Sequence, residues 1–214
     1  LHSFPTRRSS DLFGYTNLPP GLKNYKIVQL SDIHIGPSID LDDFDEILKL
    51  ALLQKPNRVV ITGDLIDKLA WLPQVCERLT TFAKQIPDGV DFILGNHEYH
   101  HDVNKVLDSL KRNTPMNILV NSNIQIMGGK QPVYIAGVAY DNDRKKDNRE
   151  AMINKALSGI PDYAFVILLA HHPEFFEESI ERKIPLTLSG HTHGGQIVFM
   201  GMPLVPTGTP YTKR

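Results

Sequence analysis

Seven side chains able to ligate a metal ion sit in five short clusters: Asp32 and His34 in SDIHIG, Asp64 in TGD, Asn96 in GNHE, His171 in AHHP, and His191 and His193 in GHTHGG. Mixed imidazole, carboxylate and amide donors suit two hard-to-borderline divalent ions, with open positions left for water and substrate. Each cluster follows an apolar, largely β-branched run: KIVQL, RVVI, DFIL, FVILL and PLTL. A short apolar run bounded by turn residues reads as a buried strand. Open α/β sheets place their chemistry at the carboxyl ends of strands. Five clusters at five such ends can therefore converge on one place.

Taken singly, the clusters say little. GD and GN pairs are ordinary turn chemistry, because Gly and Asn tolerate positive φ. His171 and His172 could be a strand-end pair bonded to backbone. GHTHGG is more telling, with two His at i and i+2 beside three Gly. The information lies in the ordered set DxH, GD, GNHE, AHxP and GHxH, each after an apolar run, with helix-like stretches between. That set resembles the calcineurin-like metallophosphoesterases over roughly residues 25–200. The resemblance implies an α/β fold, a sandwich of two β-sheets flanked by helices, with a dinuclear metal centre at one edge. It implies that Asp32, His34, Asp64 and His193 hold one ion and Asp64, Asn96, His171 and His191 the other, with Asp64 bridging. It also implies that His97 contacts substrate or protonates the leaving oxygen. Glu98 stands where many relatives have Asp, and is expected to orient His97 through a ring nitrogen. His172 stands where many relatives have Asn and is left outside the metal sphere.

These residue types suit the implied chemistry. A phosphate ester resists attack because its oxygens are negative. Two cations about 3.5–4 Å apart neutralise that charge and clamp the attacking and leaving oxygens in line. A water between them becomes a metal-bound hydroxide near neutral pH. No nucleophilic side chain is required. The chain has no GxSxG elbow, and its single cysteine is Cys76. The expectation is a metal-dependent hydrolase of phosphodiester or pyrophosphate bonds. The alternatives are a phosphomonoesterase acting on nucleotides or protein phosphates, or a pyrophosphohydrolase of a lipid-linked substrate such as UDP-2,3-diacylglucosamine. KIVQLSDIHIGP and GHTHGGQI look like a bacterial phosphodiesterase subgroup. Mn²⁺ is the first expectation for the two ions, ahead of Fe, Zn²⁺ and Ni²⁺, because the sphere is rich in oxygen and water positions. A non-catalytic scaffold is disfavoured, because the seven ligands and His97 are all present.

Residues 1–12, LHSFPTRRSSDL, match at every position the translation of a common sequencing-adapter oligonucleotide. They read as an assembly artefact and are set apart from the fold. Residues 13–214 then form one domain, expected to be cut short at its C-terminal strands. Without Arg7, Arg8 and Asp11, Lys plus Arg falls from 23 to 21, Asp plus Glu from 24 to 23, and the net charge from −1 to −2. That is no nucleic-acid footprint, which needs a basic face. No window of 18 uninterrupted apolar residues suggests a membrane span. With the native start set aside, localisation is left open. One cysteine allows no internal disulfide, and Cys76 reads as a buried small hydrophobe.

The intervening segments read as scaffold. Residues 40–54 predict a helix with acids at its start and Leu41, Phe44, Ile47, Leu48 and Ala51 on one stripe. The acids Asp42, Asp43, Asp45 and Glu46 read as capping or solvated charges. Further helices are predicted at 73–86, at 102–112 with Val103, Val106, Leu107 and Leu110 inward, at 148–157, and at 174–182. Three strands without ligands are predicted at 117–121, 124–127 and 133–138, with Gly128–Gly129 turning between the last two. The charged run 141–149 reads as a solvated loop, or as a rim for the polar part of a substrate. Tyr99 and Tyr140 are candidates to line a cleft, and His100 and His101 either contact substrate or sit on an exposed loop.

Overall fold

The computed structural model describes residues 12–140 and 145–192, and the backbone of 198–199 and 202–203. Two four-stranded sheets carry the fold. In the first, β1 (Ile27–Leu30), β2 (Arg58–Ile61), β3 (Val90–Phe92) and β4 (Asn117–Ile118) run parallel in that order. In the second, β5 (Ser122–Met127) pairs antiparallel with β6 (Val133–Val138), followed in parallel by β7 (Phe165–Ala170) and β8 (Leu186–Ser189). A two-residue antiparallel pair, β9 (Val198–Phe199) and β10 (Met202–Pro203), stands apart.

Strand periodicity sorts the side chains into layers, since successive residues face opposite ways. On β7, Phe165, Ile167 and Leu169 point into a cluster shared with Val60, Ile93, Leu119, Val133 and Ile135, which glues sheet to sheet. Val166, Leu168 and Ala170 point the other way, onto Ile153 and Ala156 of α5 (Lys146–Ala156). On β2, Val59 and Ile61 meet Phe44 and Leu48 of α1 (Leu41–Leu53), Val75 and Leu79 of α2 (Leu72–Ala83), and Val106 and Leu110 of α4 (Val103–Asn113). The result is helices, sheet, sheet, helix, as the family resemblance implies.

Local chemistry explains the helix boundaries. The Asp40 carboxylate accepts the amides of Asp42 and Asp43, and Asp43 returns to the Asp40 amide, a capping box that starts α1. Asp45 pairs with Arg78 of α2 at 2.9 Å, so the acids of this segment cap and pair. α2 ends three residues short of the expected 86, because Gln85 and Ile86 tighten onto Phe82 and Ala83 in i+3 bonds. The expected helix 174–182 divides into a 3₁₀ turn, Pro173–Phe175, and α6 (Phe176–Glu181).

One strand expectation needs correction. The run 117–121 pairs only at Asn117–Ile118, and that pair joins the first sheet, whereas β5 and β6 build the second. Residues 119–121 are the crossing between sheets. Leu119 still donates to Phe92, but Asn121 turns at φ 50° and its side chain accepts the amide of Ala139, one residue past β6. Residues 128–132, with Gly129 at φ 113°, connect β5 to β6 as expected.

Candidate metal centre

Asp32, Asp64, Asn96, His171 and His191 each lie within four residues of the C-terminal end of β1, β2, β3, β7 or β8. Within each sheet these strands run parallel, so the ends share an edge. Beyond the strands, the first two loops continue side by side: the amides of Asp32, His34 and Ile35 donate to the carbonyls of Gly63, Asp64 and Leu65. Their cost is backbone strain. Asp32 (φ 53°), His34 (φ 53°), Asp64 (φ 51°) and His191 (φ 68°) are all left-handed. Non-glycine residues hold that conformation only where the surroundings over-determine it, and such positions cluster at functional sites.

Asp64 is the hub. Its Oδ2 lies 3.2 Å from His171 Nε2 and 3.7 Å from His34 Nε2, and its Oδ1 accepts the His97 amide at 2.8 Å. Two donor groups share it: His34, Asp64 and His97, and Asp64, His171 and His191. Within each group the ligand atoms lie within 4.8 Å of one another. Asn96 completes the second group, its Oδ1 sitting 3.0 Å from His171 Nε2 and 2.9 Å from His191 Nδ1. His171 Nδ1 donates to the Thr62 carbonyl at 2.7 Å, which leaves Nε2 as the atom aimed at the shared space. That is the tautomer a ligating histidine needs, held by its second nitrogen. The donors therefore fit divalent metal ions.

Electrostatics supports the hub. Burial alone would raise the Asp64 pKa, but the His171 imidazole and the His97 amide outweigh it and hold the carboxyl at about 2. Burial pulls the His171 pKa down, and Asp64, Asp32 and the Thr62 carbonyl outweigh that and raise it. Space is tight: a Cβ on Gly95 would fall 2.5 Å from the Asp64 amide nitrogen, and one on Gly63 would fall 2.6 Å from Gly95 Cα.

Not every expected residue joins the two groups. Asp32 turns both carboxylate oxygens to the His191 amide, at 2.9 and 3.0 Å, and takes the Ser31 hydroxyl at 2.5 Å. It thus fastens the loop after β8 to the loop after β1. His193 lies outside the described residues, as do residues 1–11 and 141–144. Glu98 does not orient His97. It folds back from α3 (Asn96–His100) to accept the amides of Asp64, Leu65 and Gly95. Burial and the Asp64 charge raise its pKa against those three bonds.

The residue that does hold His97 is Asp67, absent from the sequence reading. Its Oδ1 sits 2.7 Å from His97 Nδ1 and 3.3 Å from His34 Nδ1. Its one sequence signal is an acid three positions after Asp64, in GDLID. His172 is buried, its ring 4.3 Å from that of His191 and its Nδ1 3.6 Å from Glu174. Tyr140 packs between Tyr99 and the His171–His172 pair, and the His100 ring lies 5.2 Å from that of His97. None of the helices among the described residues is long and apolar enough to cross a membrane.

Comparison with known proteins gives the family. Over 186 residues the chain is 37% identical to an uncharacterized metallophosphoesterase of Campylobacter jejuni, covering 84% of this chain and 47% of that one. It is 33% identical to an uncharacterized metallophosphoesterase of Aquifex aeolicus, over 86% of this chain and 68% of the relative. It is also 33% identical to a Bos taurus transmembrane protein with metallophosphoesterase domain, over 84% of this chain and 43% of the relative. The chain thus spans about half the length of several relatives, and those relatives are not confined to bacteria. Residues 25–195 match the family model described as calcineurin-like phosphoesterase, and the chain belongs to that family.

Proposed function

We propose that the chain is a metal-dependent phosphoric ester hydrolase using two divalent ions, Mn²⁺ first among them, to cleave phosphodiester or pyrophosphate bonds. The observation that carries this reading is the sharing of Asp64 by two donor groups. Asp32, His34, Asp64 and His193 would hold one ion, and Asp64, Asn96, His171 and His191 the other. Held by these residues, divalent cations would supply Lewis-acid neutralisation of the ester's negative charge and would activate water as the nucleophile. The Asp64 carboxylate is the group that keeps the two positions together. The Thr62 carbonyl fixes the His171 tautomer. Asp67 holds His97 through Nδ1, so Nε2 is the atom presented to the leaving oxygen, where it acts as general acid.

The test is hydrolysis of a chromogenic phosphodiester by Mn²⁺-loaded protein, beside the matching monoester, with Asp64→Asn as blank. Faster diester cleavage that vanishes in the blank supports the reading. Faster monoester cleavage moves the substrate class to phosphomonoesters. No cleavage of either by folded, metal-loaded protein would sink the claim.

A further inference from the structure

We infer that Glu98 is a positioning residue that sets the backbone of Asp64 and, through it, the spacing of both donor groups. This rests on the two-ion reading above. Glu98 is fully buried. Among the described residues its hydrogen-bond partners are three backbone amides and no cation: Oε2 accepts from Asp64 at 3.0 Å and Gly95 at 2.7 Å, and Oε1 accepts from Leu65 at 2.7 Å. Burying a carboxylate without a counter-charge is unfavourable unless its hydrogen-bonding capacity is met. Here it is met by the backbone of two loops at once.

The contact is reciprocal. Asp64 Oδ1 accepts the amide of His97, the residue before Glu98, while Glu98 accepts the amide of Asp64. The two acids clasp the loop after β2 to the start of α3. Asp64 is held left-handed by this clasp, at φ 51°. The loop brings Asp64 to the centre, and α3 brings Asn96 and His97, so a slip between them moves members of both groups together. Three convergent N–H donors require an acceptor with two oxygens. In Glu98→Gln the amide nitrogen would face one N–H. In Glu98→Asp the shorter arm could not span the three donors.

The experiment compares wild type, Glu98→Gln and Glu98→Asp by thermal unfolding, Mn²⁺ calorimetry and electron paramagnetic resonance. The expected result is a cooperative transition in all three. The second Mn²⁺ should bind at least about tenfold more weakly in the variants, on the scale of lost outer-shell support. The exchange-coupled signal of an ion pair should give way to that of isolated ions. A Glu98→Gln variant that binds two Mn²⁺ with wild-type affinity and keeps the coupled signal overturns the role of Glu98 alone. A wild type that binds no pair overturns the two-ion reading, and this role with it. Because either variant can fail to fold, the amide resonances of Asp64, Leu65 and Gly95 are followed in wild type during Zn²⁺ addition. They should move together, and three unmoved amides in zinc-loaded protein overturn the clasp.

Discussion

At the scale of single residues, the site depends on carboxylates that never need to touch a substrate. Asp67 is one. It contacts His97 and, more distantly, His34. Asp67→Ala should lower kcat about 10–100-fold, the usual effect of removing the partner of a working histidine. His97→Ala should lower it by about 10²–10⁴ while leaving metal content unchanged. If Asp67 acts through His97, the double variant should be close to His97→Ala, since residues acting as a unit are not additive. Any loss beyond that measures the His34 contact. Wild-type kcat in Asp67→Ala would remove this residue from the mechanism. Gly95 makes the opposite point, that an absent atom also positions a site. Gly95→Ala puts a methyl against Asp64, and the expected outcome in a metal-content assay is loss of Mn²⁺ from a chain that still folds.

At the scale of elements, strands and helices were legible because they follow from burial. The stripe on α1 and the alternation on β7 are periodic patterns, and the packing honours them. The clusters were legible because side chains that converge at one sheet edge sit just past strand ends. Asp67 and the role of Glu98 were not, because the partners of Asp67 and two of the three amides held by Glu98 lie 30 or more residues away in another loop, and only the Gly95 amide follows from a helix-start spacing. Nor was the short β4. Leu119 and Val120 are as apolar as any strand residue, and only the crossing to the second sheet shows why pairing stops. A buried ion pair was equally hidden. Arg58, at the start of β2, meets Asp91 of β3 in two bonds of 2.6 and 3.0 Å, and Asn117 of β4 joins Asp91 at 2.8 Å. This cluster ties three strands together away from the end that carries the candidate donors. Asp91→Ala leaves the Arg58 guanidinium buried without its carboxylate, held by the Asp88 carbonyl, and should destabilise the fold by about 3–5 kcal/mol in urea unfolding. Specific activity of the molecules still folded should stay at the wild-type value, and a fall in it would show that the two ends are coupled.

At the scale of the whole molecule, the donors couple folding, protons and metal. The depressed pKa of Asp64 contributes stability fully present above its ordinary value of 3.8 and lost as pH falls towards about 2. The raised pKa of His171 works in the other direction: its contribution is complete below the ordinary 6.5 and is lost as pH rises through the folded value. Both shifts describe one Asp64–His171 pair and count once. A metal ion held as proposed would need the same two groups with the imidazole neutral, so metal and proton would compete for His171. Without metal, this pair favours the fold most between those limits. With metal, stabilisation follows ligand concentration, about 2.7 kcal/mol per site at a hundredfold excess over Kd. The rise in Tm on adding Mn²⁺ should therefore grow as pH rises through the folded-state value of His171 and the imidazole gives up its proton. It should be absent at every pH in Asp64→Asn. A rise of constant size as pH increases would mean that His171 carries no proton for the metal to displace.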